Sequence, residues 1–221
     1  MKKLLPSLLG SLLVLGLVGG APYFRLHGVA AATGAGKNLT SATAAGDILD
    51  RIDETIILDV STDARTNRFD TPFADNSRNP FDPFDLNKLL QVKRGQTFIV
   101  AGKVYLGGTI PPGGEPDNPS PFGPDTPGSI GAWVCRATFN YDFTEIVGGV
   151  APHLFSTQVL QLASGDSLWS DGPEGGETTL RAVTGGVKRF SGARGEVTQQ
   201  ILGMNNTHLF NIRFTFKLKK N

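Results

Sequence analysis

The chain has 221 residues and a formal net charge of +1, enough length for one domain with a sizeable core. A charge so nearly balanced argues against nucleic acid as a partner, because phosphate binding wants a basic face. One cysteine excludes an intramolecular disulfide and a cysteine zinc site, while 28 glycines and 14 prolines make the chain loop-rich without making it low in complexity.

Lys2 and Lys3 open the chain, Leu4 to Val18 is apolar, and Gly19-Gly20-Ala21 and Ala30-Ala31-Ala32 offer small residues for cleavage. The apolar run falls short of the roughly 20 residues that a membrane span needs. Residues 1–32 therefore read as an export signal, and a secreted or periplasmic protein is expected. A retained anchor helix is the alternative. Residues 33–53 read as a linker. Its Gly34-Ala35-Gly36-Lys37 string is not a phosphate loop, since Asn38 stands where Ser or Thr is needed and no strand precedes it.

The barrel-forming region is expected over 54–221. Thr55 to Val60 is rich in β-branched residues and predicts a first strand. Residues 61–86 look like a loop; Asp75, Asp82 and Asp85 match no calcium-loop spacing and read as turn acids. Thr97 to Leu106 predicts a strand with Phe98, Val100, Val104 and Leu106 on one face. Gly107 to Gly128 is dense in Pro and Gly and is expected as a long loop at a barrel mouth, shared with residues 61–86. Gly131 to Tyr141 predicts a strand with Trp133, Cys135, Ala137, Phe139 and Tyr141 on one face.

Leu154 to Ala163 and Ser167 to Ser170 follow as strands around a turn at Gly165-Asp166, with Pro173 to Glu177 as loop. Thr178 to Thr184 and Glu196 to Leu202 flank a glycine-dense stretch, Val183 to Gly195, that marks a chain reversal. Phe190 in that polar turn is expected to plug one end of the structure. In the last strand Phe210, Ile212, Phe214, Phe216 and Leu218 face one way. About eight strands, no legible helix and turn signals between strands predict an all-β fold, a barrel or a sandwich.

The chemistry-bearing residues are few. Gly165-Asp166-Ser167-Leu168 spells a hydrolase signature, but in a hairpin of an all-β chain it reads as an ordinary turn. His153 and His208 are too scattered for a metal site, and no cofactor is expected. Asp59 and Cys135 are the candidate catalytic pair. If the face bearing Trp133 and Cys135 points inward, the thiol lies in an aromatic-lined cavity, and an inward Asp59 would have a raised pKa. The competing readings are a small core cysteine and an aspartate that ends a strand in water.

The string Thr184-Gly-Gly-Val-Lys-Arg-Phe-Ser-Gly-Ala-Arg-Gly195 resembles the strand connection of the allene oxide cyclase and dirigent-protein barrels. The resemblance extends, more weakly, from about Thr55 to Leu218. It implies a single eight-stranded antiparallel β-barrel of the calycin type, and those families carry glycine where Lys188 stands. Leu58-Asp59-Val60-Ser61 looks like the cyclase first strand, with Asp59 at its glutamate and Ser61 at an asparagine; Ala132-Trp133-Val134-Cys135 looks like the segment carrying its cysteine. A second cyclase asparagine falls on Gly102, and the dirigent aspartates fall near Gly102-Lys103, so those polar groups are missing. Arg194 matches a dirigent arginine.

Cyclases close a fatty-acid allene oxide into a cyclopentenone; dirigent proteins steer the coupling of phenoxy radicals that a partner oxidase makes. The resemblance implies cyclisation or stereoselective coupling of a small hydrophobic substrate in the cavity. Asp59 and Cys135 would be catalytic, and Trp133, Phe139, Tyr141, Phe98, Gln158 and Arg194 would bind substrate. A homo-oligomer, trimer or dimer, is expected. A non-catalytic binder of an apolar ligand and a structural surface protein are the alternatives.

Overall fold

The structure, a computed structural model, describes residues 52–79 and 86–219. The expected export signal and nearly all of the linker lie outside the described residues, as do Asp82 and Asp85. Eight strands form: β1 (Ile52–Phe69), β2 (Thr97–Leu106), β3 (Gly131–Phe139), β4 (Leu154–Leu162), β5 (Ser167–Glu174), β6 (Thr178–Val187), β7 (Arg194–Met204) and β8 (Phe210–Lys219). Each strand pairs antiparallel with the next, and β1 pairs with β8 to close the barrel. Closure satisfies both edges of every strand.

The period-2 pattern decides what lies inside. In the β1–β8 ladder Leu58 faces Phe214 and Val60 faces Ile212. These four, with Phe216, Leu218, Val197, Val183, Leu168 and Leu160, pack one end of the barrel solid. Phe190 joins them at 4% exposure and closes that end, so an aromatic in a polar turn does act as a plug. Lys188, beside it, has φ of 53°, the left-handed region that favours glycine. The turn thus keeps a glycine-like backbone while carrying a lysine.

Three features differ from expectation. β1 runs eighteen residues, past Val60, through a register shift between Asp63 and Arg68. That segment has the composition of a loop, yet Asn205 Nδ2 donates to the Thr62 carbonyl at 2.7 Å and Ala101 N donates to Thr66 Oγ1 at 2.8 Å, which hold it on the sheet as a bulge. Two short helices occur where no helical period is legible, α1 (Leu86–Leu89) and α2 (Phe143–Val147). Asp142 and Glu145 form a capping box at the start of α2.

The third is the 107–128 loop. It leaves β2 at the packed end, lies along the outer wall, and reaches the β7–β8 turn at the open end, where Ser120 N donates to the Met204 carbonyl at 2.8 Å. Ile110 packs with Tyr105, Leu202 and Phe122. Gly113 N donates to the Leu202 carbonyl at 2.7 Å, and the Tyr105 hydroxyl donates to the Thr126 carbonyl at 2.8 Å. Tyr105 gives the outer wall an apolar place to receive the loop. Leu106, expected on the inner face, ends its strand 63% exposed.

Candidate functional site

The open end holds a cavity of about 180 Å³. One side is aromatic. Phe69, Phe98 and Phe139 come from β1, β2 and β3, with ring centroids 5.4 to 6.0 Å apart. Phe143 and Ile146 of α2 extend that wall toward the rim. The same rule of alternation that packs the far end places these rings inside, but among the described residues none corresponding to Phe190 closes over them at this end.

The other side is polar and comes from β4 to β7. Leu168, Ser170, Gly172 and Glu174 share the inner face of β5, so Glu174 meets the cavity at the strand's end. Its Oε1 accepts from Gln158 Nε2 at 2.8 Å, from Arg181 Nη1 at 3.3 Å and from the Ser156 hydroxyl. The Cys135 thiol reaches the same oxygen at 4.0 Å. Gln199 Nε2 donates to Oε2 at 3.2 Å. Gln158 also donates to Gln199 Oε1 at 2.9 Å, and Trp133 Nε1 donates to Gln158 Oε1 at 3.5 Å. The result is one connected network around one carboxylate.

Arg181 anchors it. Its side chain is wholly buried and donates to the carbonyls of Gly172, Ser156 and Ser170 as well as to Glu174. Burial lowers its pKa, and the Glu174 charge opposes that fall. Burial pushes the Cys135 thiol well up, and the neighbouring Glu174 charge pushes it further. A thiol so placed is a weak donor rather than a nucleophile. His153, 5% exposed, lines the cavity with its pKa lowered by burial.

The structure brings together Phe98, Trp133, Cys135, Phe139 and Gln158, all on inner faces. It places three other candidates elsewhere. Asp59 sits between two inward residues and so points outward. It is fully buried beneath the 107–128 loop, paired with Arg213 at 2.8 Å and 3.0 Å, and it accepts from Ile110 N at 2.9 Å. The Asp59–Arg213 pair raises the arginine pKa through their hydrogen bonds. Tyr141 lies beyond the end of β3, with the Arg94 guanidinium 5.3 Å over its ring. Arg194 is exposed and donates to the Thr184 and Ala193 carbonyls, away from the cavity.

Sequence reasoning missed Glu174, because Pro173 and the glycines after it give the segment the look of a loop. The alternation Leu168, Ser170, Gly172, Glu174 was the signal that could have found it. It also missed Arg181 and Gln199, whose inward parity follows from Val183 and Val197. At Gly102 a Cβ would lie 2.5 Å from the Ser61 carbonyl oxygen, so this close approach of β1 and β2 leaves no room for a polar side chain. Ser167 of the hydrolase-like string is the first residue of β5 and takes the Trp169 indole N–H at 3.1 Å, at the end of the barrel opposite His153 and His208.

No protein-family model matches the chain, and no curated protein matches it by sequence. Among solved structures, the chain is similar to a pyocyanin demethylase, with 13% identity and a TM-score of 0.44 over 75% of this chain and 100% of that one. It is also similar to two pterocarpan synthase dirigent proteins, each at 10% identity. Their TM-scores are 0.49 and 0.48, over 76% of this chain and 96% and 86% of theirs. With TM-scores below one half and identities this low, no argument and no residue role is carried over from them. The closed eight-stranded antiparallel barrel rests on this chain's own strand pairing.

Proposed function

We propose that the barrel binds a small, ring-bearing apolar molecule in the open-end cavity and steers its cyclisation or coupling. Glu174, in place of Asp59, is the acid group that meets it. The observation that carries this reading is the asymmetry of that carboxylate. Oε1 is crowded with donors, whereas Oε2 accepts one hydrogen bond among the described residues, and Glu174 lines an aromatic-walled cavity.

Size supports a small ligand. A dry apolar cavity of about 150 Å³ is known to take one benzene ring, and this one measures about 180 Å³. A carboxylate beside apolar walls stabilises developing positive charge more strongly than water would, because the local dielectric is low. Holding a reactive molecule in one conformer removes further entropy from the barrier, worth several kcal/mol. The protein itself forms no redox step; an oxidase or oxidant outside the barrel makes the reactive species. An exported protein would meet such species away from cytosolic reductants.

The test is product handedness. A small phenol is oxidised by a chemical one-electron oxidant with and without the protein, and the coupled product is resolved on a chiral column. The reading expects an enantiomeric excess that Glu174→Asp reduces. A racemic product across a panel of phenols contradicts it, and unchanged excess in Glu174→Asp removes Glu174 from the account.

A further inference from the structure

The outer wall of the barrel is covered unevenly. The 107–128 loop lies over β1, β7 and β8, where it reaches Asp59, Leu202 and Asn211. Over β3, β4 and β5 the wall is bare and apolar: Val134 is 43% exposed, Phe155 54% and Trp169 45%.

The strand register makes these residues one patch, and a contiguous apolar patch marks a contact face where scattered residues would not. Val134, Val159 and Trp169 stand side by side across the three strands. The next outward row is Arg136, Thr157 and Asp171, and Phe155 lies beyond Thr157 on β4. The residues that alternate with them, Cys135, Gln158 and Ser170, are buried inside the barrel. Arg136 is exposed and has no salt bridge or side-chain hydrogen bond among the described residues. Asp171 accepts from the Thr157 hydroxyl, and from the Thr184 hydroxyl at 2.7 Å, but has no salt bridge among the described residues. The patch thus carries one cation and one anion, on either side of Thr157, each without an ionic partner.

We propose that a second copy of the chain covers this face, across a two-fold axis that lies between the two barrels and runs parallel to β4. The charges choose the axis. A two-fold contact sets the same patch of both copies against itself. With the axis along β4, each β3 lies against the partner's β5. Arg136 then meets the partner's Asp171, and Asp171 meets the partner's Arg136. The same operation sets Val134 against the partner's Trp169, and sets Val159 and Phe155 each against its own copy. An axis across the strands would instead oppose Arg136 to Arg136 and Asp171 to Asp171, which like-charge repulsion disfavours. A contact of this kind closes on itself, so the assembly stops at two.

Light scattering on the eluting full chain tests this and is expected to read twice the mass of one copy. Arg136→Asp and Asp171→Lys should each weaken the pair about 100-fold, because each reversal creates two like-charge contacts. Mixed one to one, the two variants should pair again, since each offers the charge that the other lacks. If Asp171→Lys does not fold, because Thr157 and Thr184 lose their acceptor, Arg136→Asp decides the matter alone: its side chain is exposed and supports nothing else. A wild type that runs as a monomer or a trimer overturns the proposal. So does a dimer that Arg136→Asp leaves intact, or a mixture of the two folded variants that stays monomeric.

Discussion

Arg181 donates to Glu174 across 3.3 Å inside the barrel with its whole side chain out of solvent. The pair is therefore a cation held by one carboxylate and three carbonyls, and removing the carboxylate strands the cation. Breaking a buried pair from one side costs about 3–5 kcal/mol; Glu174 retains 22% side-chain exposure, so the lower part of that range applies. Glu174→Ala is expected to lose about 3 kcal/mol in urea denaturation. The double variant Glu174→Leu with Arg181→Met should recover most of it, because no charge is then left unpaired.

The buried thiol and imidazole set opposite pH limits. The His153 pKa is lowered in the folded state, so the unfolded chain takes the proton first. Stability is expected to fall as pH drops below about 6.5, the ordinary histidine value, and His153→Gln should flatten that segment. The Cys135 pKa is raised, so the folded thiol keeps a proton that the unfolded chain gives up. Stability should fall as pH rises past about 8.5, and Cys135→Ala should remove that decline. Thermal melts across pH read both. In the folded protein Cys135 should resist thiol reagents until unfolding.

Asp59 is expected to matter for the outer wall and not for the ligand. It receives Ile110 N from the 107–128 loop, while Arg213 donates to the Ile110 carbonyl at 3.3 Å. Arg213 is a quarter exposed, which screens part of the pair, so Asp59→Ala should cost about 2 kcal/mol. Hydrogen exchange should rise in the 107–128 loop, and ring binding in the cavity should be unchanged.

Lys188 adopts φ of 53° in the turn before Phe190. Lys188→Gly should relieve that conformation by about 1 kcal/mol. The lost Lys188–Ser164 hydrogen bond offsets part of the gain. A small net rise in melting temperature is the expected outcome; a fall would mean that the side-chain bond dominates.

Much of the barrel is legible in the sequence because alternation is a local property. Phe210 to Leu218 declare their inner face without outside help, and Trp133, Cys135 and Phe139 do the same. Phe190 could be assigned to a plug because an aromatic in a glycine-rich turn has few other places to go. Two things were not legible. Alternation does not say which face is inside when both are buried, and Asp59 sits in an unbroken buried run from Leu58 to Thr62 because the 107–128 loop covers the outer wall there. Nor does it show that a strand continues through Pro173, because the pairing of Leu154 with Glu174 is a contact between distant segments. The acid group of the cavity was thereby sought on the wrong strand.

The most direct test is a crystal structure of the protein soaked with hydroquinone. The account predicts density for one ring among Phe69, Phe98 and Phe139, with an oxygen within hydrogen-bonding distance of Glu174 Oε2. A ring bound on the outer wall, or an open end filled by side chains with Glu174 turned to solvent, would contradict it.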